Sequence, residues 1–199
     1  MQNLNYPLNF QFKIFTPSND FTVTDNSGQE VAYTRQKIFR IKEAVEVYEN
    51  SRREKVRYTL KADRIIDFNA VYSLRDEQTG EWVGKLKREG VRSLWRTSYM
   101  LLDAAGNTVF TVKEENPWIA VADGVLSEIP VIGMISGYLL NPTYNVTDAH
   151  GRKVFVLQKT ASLMERRFSL QKTGDATPEQ ETLVVLGLMM LMLQARGNG

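Results

Sequence analysis

The sequence predicts a mainly β chain with one central helix: a closed antiparallel barrel of about twelve strands around a buried apolar C-terminal helix. Three observations lead there. Short runs rich in Val, Ile, Thr, Tyr and Phe alternate with Asp, Gly and Asn along most of the chain, and runs bounded in this way are strands. A strand–turn–strand pattern recurs four times. Near the end, Leu183 to Leu193 reads LVVLGLMMLML, apolar on every helical face, as in a helix surrounded by protein. A sheet of a dozen strands curls or closes, closure removes its edges, and a wide barrel needs filling.

The elements follow in order. A first strand spans Phe10 to Phe15, and two more span Ala44 to Asn50 and Lys55 to Ala62. The repeated unit is Phe21-Thr-Val23-Thr-Asp25-Asn-Ser-Gly28, Tyr72-Ser-Leu74-Arg-Asp76-Glu-Gln-Thr-Gly80, Tyr99-Met-Leu101-Leu-Asp103-Ala-Ala-Gly106 and Tyr144-Asn-Val146-Thr-Asp148-Ala-His-Gly151. Each copy has an aromatic, then an aliphatic, an Asp and a Gly, and a valine follows three positions later: Val31, Val83, Val109 and Val154. In such a hairpin the Asp opens the turn through its side chain and the Gly takes the positive φ that lets the chain return. A calcium loop would need several oxygen ligands at alternate positions, and these turns offer a single Asp. His150 belongs to the fourth turn as an ordinary loop residue. The Asn145-Val-Thr147 sequon falls on a strand.

Between Trp118 and Leu140 the alternation stops, and one or two short helices restarting at Pro130 are expected. A membrane-touching hairpin is the sharper alternative there, disfavoured by Asp123, Glu128 and the proline. A further strand runs from Glu165 to Gln171. The final helix has clear limits: Thr177 caps it, Pro178 takes its first position, Gln180 completes a Thr-x-x-Gln box, and Arg196 with Gly197 closes it. Glu179 and Glu181 at its start and Arg196 at its end oppose its dipole. Ala32 and Gly84, four positions after a turn glycine, and Gly187 on the helix are placed to let wall and helix approach closely.

Composition bounds the function. The 199 residues are 43% hydrophobic and 24% charged, which fits a single domain over residues 1–199 and excludes a disordered polymer. The net charge is +2, so nucleic acid is not an expected partner. No cysteine and one histidine exclude disulfides, thiolate metal sites and cysteine nucleophiles. No G-x-S-x-G, P-loop or dinucleotide glycine pattern occurs. No catalytic residue, metal site or cofactor is therefore expected. The start lacks a secretory pattern and the apolar stretch is too short to span a bilayer. A cytoplasmic protein without a transmembrane span, peripheral at most, is the expectation.

Several segments in order, Gln36-Lys37-Ile38-Phe39, Tyr58-Thr-Leu-Lys61-Ala62-Asp63, Asp76 to Gly80, Val83-Gly84-Lys85-Leu86-Lys87-Arg88, Arg92-Ser93-Leu94-Trp95-Arg96 and Asn141-Pro-Thr-Tyr144, resemble the LURP-one-related family. That family is similar in fold to the C-terminal domain of Tubby proteins and to phospholipid scramblases. The resemblance implies a twelve-stranded barrel around a central apolar helix and brings no catalytic motif. It also implies the relatives' roles as expectations: phosphoinositide binding and membrane tethering for Tubby proteins, lipid movement for scramblases, and defence-linked roles for plant members. The leading expectation is a non-enzymatic binding domain for anionic phospholipid or phosphoinositide headgroups, or for a protein partner at the membrane surface. The alternative is a scramblase-like membrane-active protein.

The local candidate for anion binding is a hairpin from Gly84 to Tyr99 turning at Glu89-Gly90. If Lys87 faces Arg92, then Lys85, Lys87, Arg92 and Arg96 share the outer face while Trp82, Leu86, Val91 and Trp95 point inward. Phosphates would be held there by charge-assisted hydrogen bonds. An ordinary solvated strand face is the plainer alternative. A second basic run, Arg35 to Arg64, carries a net +5 with its charges interspersed, as in solvated hairpins.

Overall fold

In the computed structural model, described over residues 1, 3–13, 19–36, 44–64, 71–89, 98–114, 143–160 and 165–197, the strands form one closed barrel. They are β1 (Leu8–Lys13), β2 (Asn19–Thr24), β3 (Glu30–Gln36), β4 (Val45–Tyr48), β5 (Val56–Arg64), β6 (Val71–Asp76), β7 (Trp82–Glu89), β8 (Ser98–Leu102), β9 (Thr108–Glu114), β10 (Thr143–Asp148), β11 (Lys153–Thr160) and β12 (Glu165–Lys172). Every strand pairs antiparallel with its sequence neighbours, and β1 closes on β12 with Leu8 opposite Leu170 and Phe10 opposite Phe168. Closure removes the free edges of the sheet, and its narrowest described seam is β3–β4, joined through Tyr33 opposite Tyr48. The helices expected between Trp118 and Leu140 and the turn expected at Glu89-Gly90 lie outside the described residues.

The four repeated units are the β2–β3, β6–β7, β8–β9 and β10–β11 hairpins. Gly28, Gly80, Gly106 and Gly151 take φ of +84°, +75°, +91° and +78°, the region a Cβ disfavours. The aspartates close the turns as expected. Asp25 Oδ1 accepts from the Ser27 and Gln29 N–H groups at 2.9 and 3.0 Å, and Asp148 Oδ1 accepts from His150 and Arg152 N–H at 2.9 Å each.

The valines three residues past each glycine have a role that alternation does not show. In all four hairpins the pairing register shifts at that point: Val23 faces Ala32 but Thr24 faces Glu30, Leu74 faces Gly84 but Arg75 faces Trp82, Leu101 faces Phe110 but Leu102 faces Thr108, and Val146 faces Phe155 but Thr147 faces Lys153. The skipped residues are Val31, Val83, Val109 and Val154. Each is the extra residue of a β-bulge, and all four pack against the core. A bulge inserts one residue, strengthens the twist and reverses the inside–outside parity beyond it. This overturns the inward placement of Trp82. Gly84 and Leu86 face the core, but the bulge at Val83 turns Trp82 outward beside Arg75, and it is 56% exposed.

The β4–β5 hairpin has the same bulge. Val47 faces Tyr58 and Tyr48 faces Val56, which leaves Arg57 as the inserted residue. Its turn lacks the repeat's Asp and Gly; Arg53 supplies the positive φ at +56°. The barrel therefore has five bulged hairpins at one end, four built on valine and one on arginine.

The single helix described, α1 (Pro178–Gly197), enters from that same end. Thr177 and Gln180 form the expected box: Gln180 N–H donates to Thr177 Oγ1 at 3.3 Å and Thr177 N–H donates to Gln180 Oε1 at 3.0 Å. Leu183 to Leu193 is buried throughout, among inward residues that include Phe10, Phe21, Leu74, Leu101, Phe155 and Leu170. The helix fills the barrel. It runs tightest along β7 and β8: a Cβ on Gly84 would lie 2.8 Å from Leu183 Cδ1, and a Cβ on Gly187 would strike Leu101 Cδ2. Ala32 is fully buried. Among the described residues no helix is long and apolar enough to cross a membrane.

Candidate functional site

The outer wall and the bulged end offer different chemistry. On the wall, the pairing registers set outward residues of β5 to β9 in rows. One row is Thr59, Arg75 and Trp82; the next is Lys61, Ser73, Lys85, Leu102 and Thr108; the third contains Val71, Lys87, Met100 and Thr111. Neighbouring strands are about 4.8 Å apart, so Lys61 and Lys85 flank Ser73 at about twice that spacing. Lys113 on β9 continues the set. Among the described outward side chains of β5 to β9 the cations are Lys61, Arg75, Lys85, Lys87 and Lys113, and the carboxylate is Asp63.

Asp63 is engaged inside this set. It accepts from Ser73 Oγ at 2.6 Å and lies 3.5 Å from Lys85 Nζ. Ser73 is buried beneath them. With Lys85 at 45% and Asp63 at 37% side-chain exposure, water screens the pair, and it contributes well under 1 kcal/mol in general terms. The remaining wall is balanced: Arg35, Lys153 and Arg167 face outward against Asp20, Glu30 and Glu46. Arg35 and Asp20 are themselves joined at 2.7 Å. The chain's near-neutral charge is thus unevenly laid over the barrel.

The structure describes two of the four residues proposed from sequence. Lys85 and Lys87 do share the outer face, as the alternation requires. Lys87 stands opposite Met100, and Glu89 opposite Ser98, across β7–β8; the turn between these strands lies outside the described residues. Arg92 and Arg96 lie outside the described residues. Lys61, Arg75 and Lys113 were missed because they come from other strands; only the barrel's pairing brings them beside Lys85.

At the bulged end a cavity of about 820 Å³ opens beside the start of α1. Its lining includes Tyr58, Trp82 and Thr182, the carboxylates Glu30, Glu49, Asp76, Glu81, Asp103 and Glu179, and the cation Arg57. Neither Lys85 nor Lys87 reaches it. Arg57, the odd bulge residue, donates to Asp76 Oδ2 at 2.8 Å and lies 5.2 Å from the centre of the Tyr58 ring. Asp76 is only 8% exposed and also accepts from Gln78 N–H at 2.9 Å. The amino group of Met1 donates to Tyr58 Oη at 2.7 Å and Thr182 Oγ1 at 2.9 Å. Burial first, then the nearby Arg57, holds that amine below its ordinary pKa, while Asp76, Glu179 and Glu49 act against the shift. Burial raises the Tyr58 hydroxyl. Carboxylates at this end suit the positive pole of α1. Among the described residues no cluster of His, Cys, Asp and Glu is arranged to hold a metal ion.

Together these features define a class: a closed antiparallel barrel with an enclosed helix, a cationic side and an acidic mouth. Comparison with family models, curated proteins and solved structures finds no match.

Proposed function

We propose that this chain is a non-enzymatic binding domain of the LURP-one-related kind that holds anionic ligands, phospholipid headgroups or an acidic protein surface, against the β5–β9 side of its barrel. The observation that carries the proposal is the one-sided charge: among the described side chains, five outward cations and one carboxylate on β5 to β9 against a balanced remainder. Cations fixed on a rigid sheet meet an anionic surface with little loss of backbone freedom, and the attraction weakens as salt rises. The family assignment is supported by the ordered sequence segments and by a barrel with an enclosed helix, the architecture that the resemblance implies.

The test is flotation with vesicles of phosphatidylcholine, with and without phosphatidylserine, at low and high salt. Near an anionic leaflet each Lys or Arg contributes about 1 kcal/mol. Reversing Lys61, Lys85, Lys87 and Lys113 to Glu therefore costs at least about 4 kcal/mol, near a thousandfold in partitioning. Binding that is salt-sensitive, needs phosphatidylserine and is lost in the reversed variant is expected. A wild-type chain that ignores phosphatidylserine refutes the headgroup reading and leaves the acidic protein partner. Equal binding by the reversed variant refutes this face as the site.

A further inference from the structure

The cationic side is not purely polar, and its apolar members point to one kind of partner. Among the described residues Trp82 is the exposed large hydrophobic one. Its outward position has a specific cause, the bulge at Val83, without which it would join Gly84 and Leu86 in the core. Leu102 and Met100, directly opposite Lys85 and Lys87 across β7–β8, are also outward and half-buried. Arg75 lies 5.8 Å from the centre of the Trp82 ring. Cations and apolar side chains thus alternate over one continuous patch from Arg75 and Trp82 to Lys87 and Met100.

A polyanion without apolar or aromatic groups would be served by the cations alone. A bilayer surface uses both, because headgroups carry the charge and the region just beneath takes amphipathic rings and short apolar chains. Resting on the anionic-ligand reading above, we infer that the partner is an anionic bilayer surface, with the barrel lying on its β5–β9 side and Trp82 inserted among the headgroups. Trp82 stands where this side meets the acidic mouth, whose cavity it also lines; Glu77 and Glu81, exposed on the turn that precedes it, are repelled by an anionic leaflet, so the contact extends from Trp82 toward the lysines. Lys85 and Lys87, two residues apart on one face, stand about 7 Å from each other along β7 and anchor the side beyond Trp82.

The test uses the full chain with Trp95→Phe and Trp118→Phe, which leaves Trp82 as its fluorophore. On phosphatidylcholine–phosphatidylserine vesicles its emission should move to the blue and be quenched by lipids brominated in the acyl chains; on phosphatidylcholine alone neither should occur. Trp82→Ala in the native chain should lower partitioning about tenfold, in line with the apolar surface an indole removes from water, with unchanged thermal unfolding as the folding control. Binding to the mixed vesicles with unshifted, unquenched Trp82 emission overturns the insertion and leaves headgroup contact by the lysines standing. The absence of any binding to mixed vesicles overturns both readings. Trp82→Ala with wild-type partitioning also overturns the insertion, and the fluorescence result stands even if that variant is less stable.

Discussion

Replacing Gly84 by alanine probes how closely α1 is fitted to the barrel wall. Gly84 sits on β7 with φ of +151°, and a Cβ there would collide with the carbonyl oxygen of Leu102 and stand 2.8 Å from Leu183 Cδ1 on the helix. The carbonyl belongs to the backbone of β8 and cannot swing aside as a side chain would. Overpacking of this kind costs about 1–3 kcal/mol, and the unfavourable backbone conformation adds about 1–3 kcal/mol. The expected loss is therefore about 2–6 kcal/mol out of the roughly 5–15 kcal/mol that hold an ordinary domain together. At this chain length each kcal/mol moves the midpoint by about 2–4 °C, so a fall of about 4–24 °C in Tm is expected. Gly106 supplies the control: its φ is +91° and a Cβ there meets nothing within 4 Å, so Gly106→Ala carries the backbone cost alone. Urea titrations of both variants, read at unchanged m-value, isolate the packing contribution as their difference. If Gly84→Ala costs no more than Gly106→Ala, the helix does not lie against β7 as described.

Other outcomes follow from the same structure. Deleting residues 178–199 should abolish cooperative unfolding by circular dichroism, because the ten apolar side chains between Leu183 and Leu193 are buried and at about 1.5–3 kcal/mol each exceed any ordinary net stability. Arg57→Val installs the residue type of the other four bulges but strips the buried Asp76 of its cation, and should cost about 1–3 kcal/mol by urea titration; adding Asp76→Asn should recover part of it, and additivity of the two changes would refute the pairing. Three turn carboxylates titrate below their ordinary range: Asp25 through the Ser27 hydroxyl, Asp103 through the Asn107 N–H, and Asp148, where burial opposes the shift but the Arg152 contacts prevail. Their folded pKa values lie below the unfolded ones, so the unfolded chain binds more protons as pH drops beneath about 4. Stability is present above that range and is lost as pH falls through the folded values; the Asp25→Asn, Asp103→Asn, Asp148→Asn triple variant should show a shallower acid limb in a pH series of Tm.

Most of the fold was legible because it is written in local terms. The aromatic–aliphatic–Asp–Gly unit encodes a turn and the strands on either side, and four copies of it place eight of the strands. The helix announced itself by Thr177, Pro178 and Gln180 at its start and by eleven residues without a polar side chain. The two strands of the β4–β5 hairpin are legible, but their kinship to the others is hidden, since Glu49 and Arg53 stand in place of the Asp and Gly and the inserted residue is Arg57, four positions past Arg53. Trp82 was misplaced for a related reason. Strict alternation from Leu86 and Gly84 puts it inside, and the recurrent valine that breaks the alternation was seen without its bulge being inferred. The candidate face was half legible: Lys85 and Lys87 share one strand, whereas Lys61, Arg75 and Lys113 become neighbours only through pairing across β5 to β9. The mouth, assembled from turns far apart in sequence, left no local sign.

The enclosed helix also dictates an order of assembly. β1, the first of the barrel's strands in chain order, must close against β12, the last of them, and the segment that occupies the lumen follows both. Until it arrives, the inward rows of Phe10, Phe21, Leu74, Leu101 and Phe155 have no partner across the lumen, so a growing chain presents sticky, unclosed sheet. Contacts of such long sequence separation fold slowly and leave aggregation-prone surfaces exposed meanwhile. In this protein the twenty residues of Pro178–Gly197, which follow every strand of the barrel, act as the stopper that turns a reactive sheet into an inert vessel.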